Sequence, residues 1–165
     1  MAVQLTVCTP LYFFRESTDS LRPKAQARRF CGDVNAALGT DLVPGESREF
    51  FAQDIPASDS WRIYELLHEH LSDGGEGLRS ILGSDPHLPF AFDSPRRISL
   101  PNYQPGEDAC VSSTVAFASA VVEVEKLLPR FLTGSELAAS LAVLAIYRDA
   151  IRISERERQP IFWFY

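Results

Sequence analysis

The chain has 165 residues, of which 45% are hydrophobic and 23% are charged, a composition typical of globular proteins and not of disordered or fibrous ones. This length suits a single domain (residues 1–165), and no apolar run is long enough to cross a membrane. The formal net charge is −6, and residues 41–93 hold eleven acids against three arginines, a net charge of −8. This charge would repel phosphates and argues against nucleic-acid binding by this segment.

The first predicted element is a short strand near the N-terminus. Val3, Leu5 and Val7 alternate with more polar residues, which is the two-residue period of a half-buried strand, and Pro10 interrupts any longer ladder. Small and polar residues then predict a turn over 17–20.

A helix is predicted from Pro23, which suits the first turn of a helix, to the residue before Gly39, which suits the position after a helix end. Apolar residues recur between them every three or four positions and form one continuous stripe. Residues 40–60 show no regular pattern, so we expect a loop with a short element at 49–52.

A second helix is predicted over 61–72, with Asp59 or Ser60 as its cap and Gly74 after its end. Helical spacing predicts which of its residues share a buried face: Trp61, Tyr64, Leu67, His68 and Leu71. A brief helix over 76–82 follows and stops at Gly83.

Five prolines between residues 84 and 110 rule out a long helix there, and we expect an irregular crossing with a short strand at 97–100. Ser112 or Ser113 can cap a helix over 114–128. The valine content of that segment leaves a strand as an alternative.

The end of the chain combines a long helix with an apolar terminus. Thr133 and Glu136 have the spacing of a capping box, which predicts the start of the helix. After Pro160 come five large apolar residues, 161–165, whose burial would stabilise the fold by roughly 1.5 to 3 kcal/mol for each side chain. Their aromatic and β-branched character favours a sheet strand.

Together these elements predict one α+β domain. Its sheet is expected to be small, mixed or antiparallel, to include the N- and C-terminal strands, and to pack against about four helices. No internal repeat, low-complexity tract or linker divides the chain.

The main candidate for a functional surface is acidic. Glu65, Glu69 and Asp73 follow one another at intervals of four, with Glu76 just beyond, and we call these four residues the acidic ridge. Most charged helix faces are simply solvated, but clustered acids also steer a cationic partner. We interpret the ridge as a docking surface for a basic protein, to which the aromatic cluster 12–14 could add anchors.

Cys110 is a second candidate, as a nucleophile. It precedes a predicted helix, whose dipole would favour the reactive thiolate, and His87 is a candidate base. Glu107 and Asp108 would oppose the thiolate by like-charge repulsion. The alternative role for Cys110 is that of a small buried apolar residue.

Metal ions and cofactors are not expected. His68 and His70 are two residues apart on a helix, so their side chains point about 200° apart and cannot reach one ion. The three cysteines have no zinc-binding spacing and cannot all pair, which indicates reduced thiols. The first residues also lack the basic head and long apolar stretch of a secretory signal, so we expect a cytoplasmic location.

Three motifs in the later part of the chain occur together. They are a Trp-then-Leu-His helix over 61–71, the sequence Tyr103-Gln104-Pro105-Gly106 just ahead of an apolar helix, and a late helix that leads into a final hydrophobic strand. With these motifs, roughly residues 60–165 resemble the YfbM-like family of small bacterial proteins of unknown function. The resemblance implies an α+β domain without known catalytic residues and, in some relatives, a role like that of immunity proteins encoded beside toxins.

The sequence therefore predicts a non-enzymatic binding protein of the toxin-neutralising, immunity type, which binds a cationic protein through the acidic segment 41–93. Two alternatives stay open. One is a small cysteine-dependent hydrolase or transferase that uses Cys110, and the other is a structural oligomer subunit in which the terminal aromatic strand lies between subunits.

Overall fold

The computed structural model describes residues 2–17 and 22–165, and six strands of these residues form one mixed sheet. The strands are β1 (Ala2–Cys8), β2 (Glu49–Pro56), β3 (His87–Leu88), β4 (Arg96–Ser99), β5 (Asp108–Ser113) and β6 (Ile161–Phe164). Their order in the sheet is β2-β1-β6-β3-β5-β4. Only β3 and β5 pair in parallel, and the other neighbours are antiparallel. The prediction of an α+β fold with both terminal strands in the sheet is confirmed.

Six α-helices are present in the described residues, more than the four or so expected. They are α1 (Pro10–Glu16), α2 (Pro23–Leu38), α3 (Ala57–His70), α4 (Glu76–Leu82), α5 (Thr114–Leu127) and α6 (Gly134–Glu157), and a 3₁₀ turn (Leu128–Arg130) follows α5. The sequence pattern missed α1, which begins at Pro10 and is capped by Thr9, whose hydroxyl accepts the Tyr12 N–H at 3.2 Å. The turn predicted over 17–20 lies, apart from Ser17, outside the described residues.

The sheet separates two apolar cores. The first core lies between the sheet and helices α3 to α6, and the second lies between the sheet and helices α1 and α2. β6 contributes Ile161 and Trp163 to the first core and Phe162 to the second, because successive strand residues point to opposite faces. β1 likewise places Leu5 in the first core and Cys8 in the second. β1 is therefore buried on both faces, not on one as predicted.

The terminal strand β6 occupies the centre of the sheet. It pairs with β1 from Gln4↔Phe164 to Val7↔Ile161, and on its other side it pairs with β3 at His87↔Ile161. The strand predicted at the C-terminus is confirmed. β6 is paired with β1 along its whole length, whereas on the β3 side only Ile161 has a strand partner and the Trp163 N–H donates to the Asp85 carboxylate.

Helix α3 differs from its prediction in both position and orientation. It begins at Ala57, ahead of the predicted cap, and its buried residues are Ile63, Leu66 and Leu67. Trp61, expected in the core, is 65% exposed. Its indole N–H instead donates along the helix surface to Glu65.

Strand β2 occupies residues 49–56 of the segment 40–60, where a loop was expected, and α3 begins directly after it. β2 is longer than the short element predicted at 49–52, and it pairs with β1 from Ala2↔Pro56 to Val7↔Phe51. β2 forms one edge of the sheet and most of its residues are exposed or half-buried. Its order therefore comes from pairing with β1 and not from a hydrophobic pattern of its own.

The remaining helix starts are partly as predicted. Ser113 caps α5 by accepting the Ala116 N–H at 3.0 Å. The segment 114–128, for which a strand was the alternative, is therefore helical. α6 starts next to Thr133 as expected, but the Thr133 side chain makes no capping hydrogen bond, so the predicted capping box does not form.

Within the described residues, no helix combines the length and apolar character that a membrane span requires.

Candidate functional site

The acidic ridge lies at the corner between α3 and α4. Glu65 and Glu69 are on α3, Asp73 is in the turn that follows, and Glu76 is in the first turn of α4. Because α3 ends at His70, Asp73 does not continue the helical row that its spacing predicted. The ridge therefore begins on one face of α3 and extends through the following turn to the first turn of α4.

Two ridge carboxylates have local hydrogen-bond partners. Glu65 accepts the indole N–H of Trp61 at 3.1 Å and forms an ion pair with Arg62 at 3.4 Å. Asp73 accepts the backbone N–H of Gly75 at 2.8 Å, which stabilises the turn before α4. Asp73 thus has a structural role besides any role in binding.

The side chains of the other two ridge carboxylates are exposed to solvent. Glu69 and Glu76 are exposed, and neither forms an ion pair with a lysine or arginine of residues 2–17 or 22–165. The nearest ionic contact of Glu69 is with His70, at 3.9 Å. The guanidinium of Arg79 is held by His68 and by the Gly74 carbonyl, each at 2.9 Å. The ridge therefore remains anionic overall.

The acids of residues 41–93 do not all face one way. Glu49 and Asp54 lie on the edge strand β2, whereas Asp93 lies just ahead of β4, the opposite edge of the sheet. Asp85 lines a cleft instead of the outer surface. Only the four ridge residues remain as a local group on the α3–α4 corner.

An apolar pocket of about 570 Å³ lies beside the ridge. Trp61, Tyr64, Trp163 and Tyr165 supply its aromatic walls. Trp61 and Tyr165 are 65% and 90% exposed, which is unusual for side chains of this size. Because Trp61 also contacts Glu65, the apolar pocket and the acidic ridge are neighbours.

A second cavity of about 710 Å³, which we call the Asp85 cleft, shares Gly83, Trp163 and Tyr165 with the apolar pocket. Its lining is more polar and includes Asp85, Tyr103 and Cys110. Three further acids and one arginine also face it: Glu16, Glu107, Asp108 and Arg97. The cleft is therefore anionic.

Asp85 has the most unusual environment in the cleft. Desolvation raises the pKa of its carboxyl from 3.8 to about 7, and it outweighs the opposing effects of the Tyr103 hydroxyl and the Trp163 N–H, both of which stabilise the charged form. The Trp163 N–H donates to Oδ1 of Asp85 at 3.3 Å. No spacing in the sequence indicates this site, because Asp85 and Trp163 are 78 residues apart.

Cys110 also lines the cleft, but it does not lie at a helix N-terminus as the sequence suggested. It belongs to β5, and α5 begins only at Thr114. Its sulfur lies 3.6 Å from the Ser84 hydroxyl and 3.8 Å from the Ser80 carbonyl oxygen.

His87 is not placed to act as a base for Cys110. Its Nδ1 is bonded to the Ser112 hydroxyl, and its ring stacks on Phe117 with 3.8 Å between centroids. Complete burial lowers the pKa of His87 to about 3, so the imidazole is neutral. His87 is thus a core residue, and no hydrogen bond joins it to Cys110.

Other candidate residues are also accounted for. Phe13 and Phe14 of the aromatic cluster are buried in the second core, so they cannot serve as exposed anchors. The three cysteines are unpaired, and Cys8 and Cys31 are buried. His70 stacks on Phe131, away from the Arg79 contact of His68. The part of the chain that the structure describes contains no group of three or more residues suited to hold a metal ion.

Comparisons with family models, with curated proteins and with solved structures found no match for this chain. The resemblance to the YfbM-like family therefore stays a prediction. On the surface of the molecule, the acidic ridge, the apolar pocket and the Asp85 cleft lie side by side.

Proposed function

We propose that this protein is a non-enzymatic binding protein that recognises a cationic protein through the acidic ridge. The observation that carries the proposal is the set of carboxylates on the α3–α4 corner, two of which, Glu69 and Glu76, are exposed and form no ion pair with a lysine or arginine of the described residues, next to an exposed tryptophan. Trp61 is 65% exposed. Following the family resemblance, the partner we propose is a toxin that the protein neutralises.

The charges and the tryptophan would have different roles in such a complex. Clustered carboxylates attract a basic surface over several ångströms and raise the association rate about ten-fold to a thousand-fold at low salt. Trp61 and the apolar pocket beside it offer the kind of aromatic anchor that accounts for much of the affinity in protein interfaces. The aromatic anchor is thus Trp61, in place of the cluster 12–14, in which Phe13 and Phe14 are buried.

The test compares two variants with the same change in net charge. The ridge variant carries Glu65→Lys, Glu69→Lys and Glu76→Lys, and it leaves Asp73 intact because Asp73 stabilises a turn. The control carries the same substitutions at three exposed acids on α5 and α6, namely Glu123, Glu136 and Glu155. A photo-crosslinking residue at position 69 first identifies the partner in cells.

Association with that partner is then measured by surface plasmon resonance at two salt concentrations. We expect the ridge variant to lose about ten-fold or more in association rate at low salt and the control variant to lose much less. Equal losses in both variants would mean that only net charge matters, and an unchanged rate in the ridge variant would exclude the ridge as the binding surface.

The two alternative functions receive less support from the geometry. Cys110 faces a cleft but has no imidazole as a hydrogen-bond partner, so a cysteine-dependent reaction would need another base. An oligomer built through the terminal strand receives less support because β6 lies inside the sheet, between β1 and β3.

A further inference from the structure

We propose that the Asp85 cleft binds a small organic cation, in which an ammonium or guanidinium group is joined to an apolar or aromatic stem. The cation would lie against Asp85, and the stem would extend past Tyr165 into the apolar pocket. This site goes beyond the proposed protein-binding function, because none of the four ridge residues lines the cleft.

The Asp85 carboxylate lies at the cleft wall without a cationic partner among residues 2–17 and 22–165. No lysine, arginine or histidine among the described residues forms an ion pair with it, although Arg97 lines the same cavity. Its contacts are the Trp163 N–H and the Tyr103 hydroxyl. A desolvated carboxylate without a cation is costly, and a ligand cation would remove that cost.

Tyr103 supplies a second polar group for the ligand. Its hydroxyl oxygen is buried, and within residues 2–17 and 22–165 no partner lies at a distance and angle suited to a hydrogen bond. The hydroxyl is still close enough to Asp85 to stabilise the charged carboxylate. Burial raises the pKa of Tyr103, so the phenol stays protonated. Buried hydroxyls usually have a partner, and a ligand nitrogen at Asp85 would lie within the same polar corner.

The walls of the cleft favour an organic cation over a metal ion. Phe13, Trp163, Phe164 and Tyr165 line it, and aromatic faces attract ammonium and guanidinium groups. The indole of Trp163 is fixed by its N–H bond to the Ser84 carbonyl at 3.3 Å. A calcium or magnesium ion would instead need several oxygen ligands converging on one point, and no such group occurs in the described residues.

The size and the outer charges of the cleft fit the same class of ligand. Its volume of about 710 Å³ lies within the range of roughly 300 to 1,000 Å³ that is usual for small-molecule sites. Glu16, Glu107 and Asp108 face the cleft against a single arginine, so the local field attracts cations and repels anions. The adjoining apolar pocket explains why the ligand should carry a hydrophobic stem.

The test uses three probes of similar shape and different charge: 2-phenylethylamine, 2-phenylethanol and 3-phenylpropanoate. Binding is followed by titration in ¹⁵N–¹H NMR spectra at about pH 8, where Asp85 is ionised because its pKa is about 7. We expect the amine to bind at least about ten-fold more tightly than the alcohol, and the carboxylate not to bind, because only the amine can pair with Asp85.

Asp85→Asn keeps the shape of the side chain and removes the charge, so it should reduce the preference for the amine over the alcohol to within about two-fold. Glu107→Gln, at an exposed position in the cleft, should weaken amine binding by a few-fold and keeps the test decisive if Asp85→Asn fails to fold. Glu123→Gln on α5 is the matched control and should bind like the wild type. Chemical shift changes should be confined to residues around Asp85, Tyr103 and Trp163.

Equal binding of amine and alcohol by the wild type, or an unchanged preference in Asp85→Asn, would overturn the proposal. A tetrapeptide with one central arginine serves as a further probe. If it binds more tightly than the amine, the cleft captures a protein side chain and the assignment to a small molecule is wrong. None of these outcomes bears on the ridge, so failure here leaves the proposed protein-binding function to its own test.

Discussion

Asp85 and His87 lie on either side of Pro86, and burial shifts their pKa values in opposite directions. The pKa of Asp85 rises from 3.8 to about 7, whereas that of His87 falls from 6.5 to about 3. In both cases desolvation disfavours the charged form, which is the carboxylate for Asp85 and the imidazolium for His87.

The two shifts have opposite consequences for stability. Between pH values of about 4 and 7 the folded state binds more protons at Asp85 than the unfolded state does, so this residue makes the protein less stable as the pH rises. Between about 3 and 6.5 the unfolded state binds more protons at His87, so this residue makes the protein more stable as the pH rises. Over the range from about 4 to 6.5 the two contributions therefore cancel in large part.

Substituting one residue should expose the contribution of the other. In Asp85→Asn the free energy of unfolding should increase between about pH 4 and 6.5, by up to roughly 1.4 kcal/mol per pH unit. In His87→Gln, which can still bond to Ser112, it should instead decrease over that range. Urea denaturation at several pH values measures both slopes. If both variants follow the pH profile of the exposed control Glu155→Gln, the two shifts do not affect folding.

At the scale of elements, the two helix starts near Ser113 and Thr133 allow a matched comparison. Both residues precede a helix, but only the Ser113 hydroxyl accepts a helix N–H, that of Ala116 at 3.0 Å. Ser113→Ala should cost about 0.5 to 2 kcal/mol of unfolding free energy. Thr133→Ala should change it by less than about 0.5 kcal/mol, since no capping bond is lost. Chemical denaturation measures both, and equal losses would contradict the assigned caps.

The same comparison shows what the sequence could and could not predict about the elements. α2, α4 and α5 carry their own start and stop residues, such as Pro23 and Gly39, and they were predicted within a few residues. β2 and β5 depend on pairing partners elsewhere in the chain, so their local patterns are weak. α1 has local start signals in Thr9 and Pro10, but Pro10 was interpreted only as the end of the first strand. Glu65 and Glu69 lie on α3 as predicted, but the helix ends at His70, two residues before its predicted end, and Asp73 lies in the turn that follows.

The candidate sites follow the same division between local and distant information. The charge of the ridge is visible in the sequence because its four residues lie within one short stretch. The Asp85 cleft was not predicted, because it brings together residues from α1, the 84–110 crossing and the C-terminal strand. Nothing in the spacing of Asp85, Tyr103 and Trp163 indicates that they meet.

At the scale of the whole molecule, β6 connects two cores that otherwise lie on opposite faces of the sheet. Ile161 and Trp163 pack in the first core, whereas Phe162 stacks on Phe13 in the second, with 4.3 Å between the ring centroids. Its hydrogen bonds to β1 and β3 also join the two halves of the sheet. Loss of packing on one face should therefore affect the other face through the shared strand.

This connection predicts that a substitution in the second core destabilises both cores together. Phe162→Ala should cost about 3 to 5 kcal/mol of unfolding free energy, as for other buried phenylalanines. Tyr165→Ala, three residues later and 90% exposed, is the control and should cost less than about 0.5 kcal/mol. Far-ultraviolet circular dichroism follows the whole fold, and tryptophan fluorescence, measured in a Trp61→Phe background, reports on Trp163 in the first core.

In Phe162→Ala the two signals should shift to lower denaturant by the same amount and remain coincident, as a two-state transition requires. A transition in which the fluorescence signal kept its wild-type midpoint would show that the first core folds without the second. In that case β6 would merely lie between two independent units. Coincident transitions would instead mean that a single central strand makes the two faces of the sheet one cooperative structure.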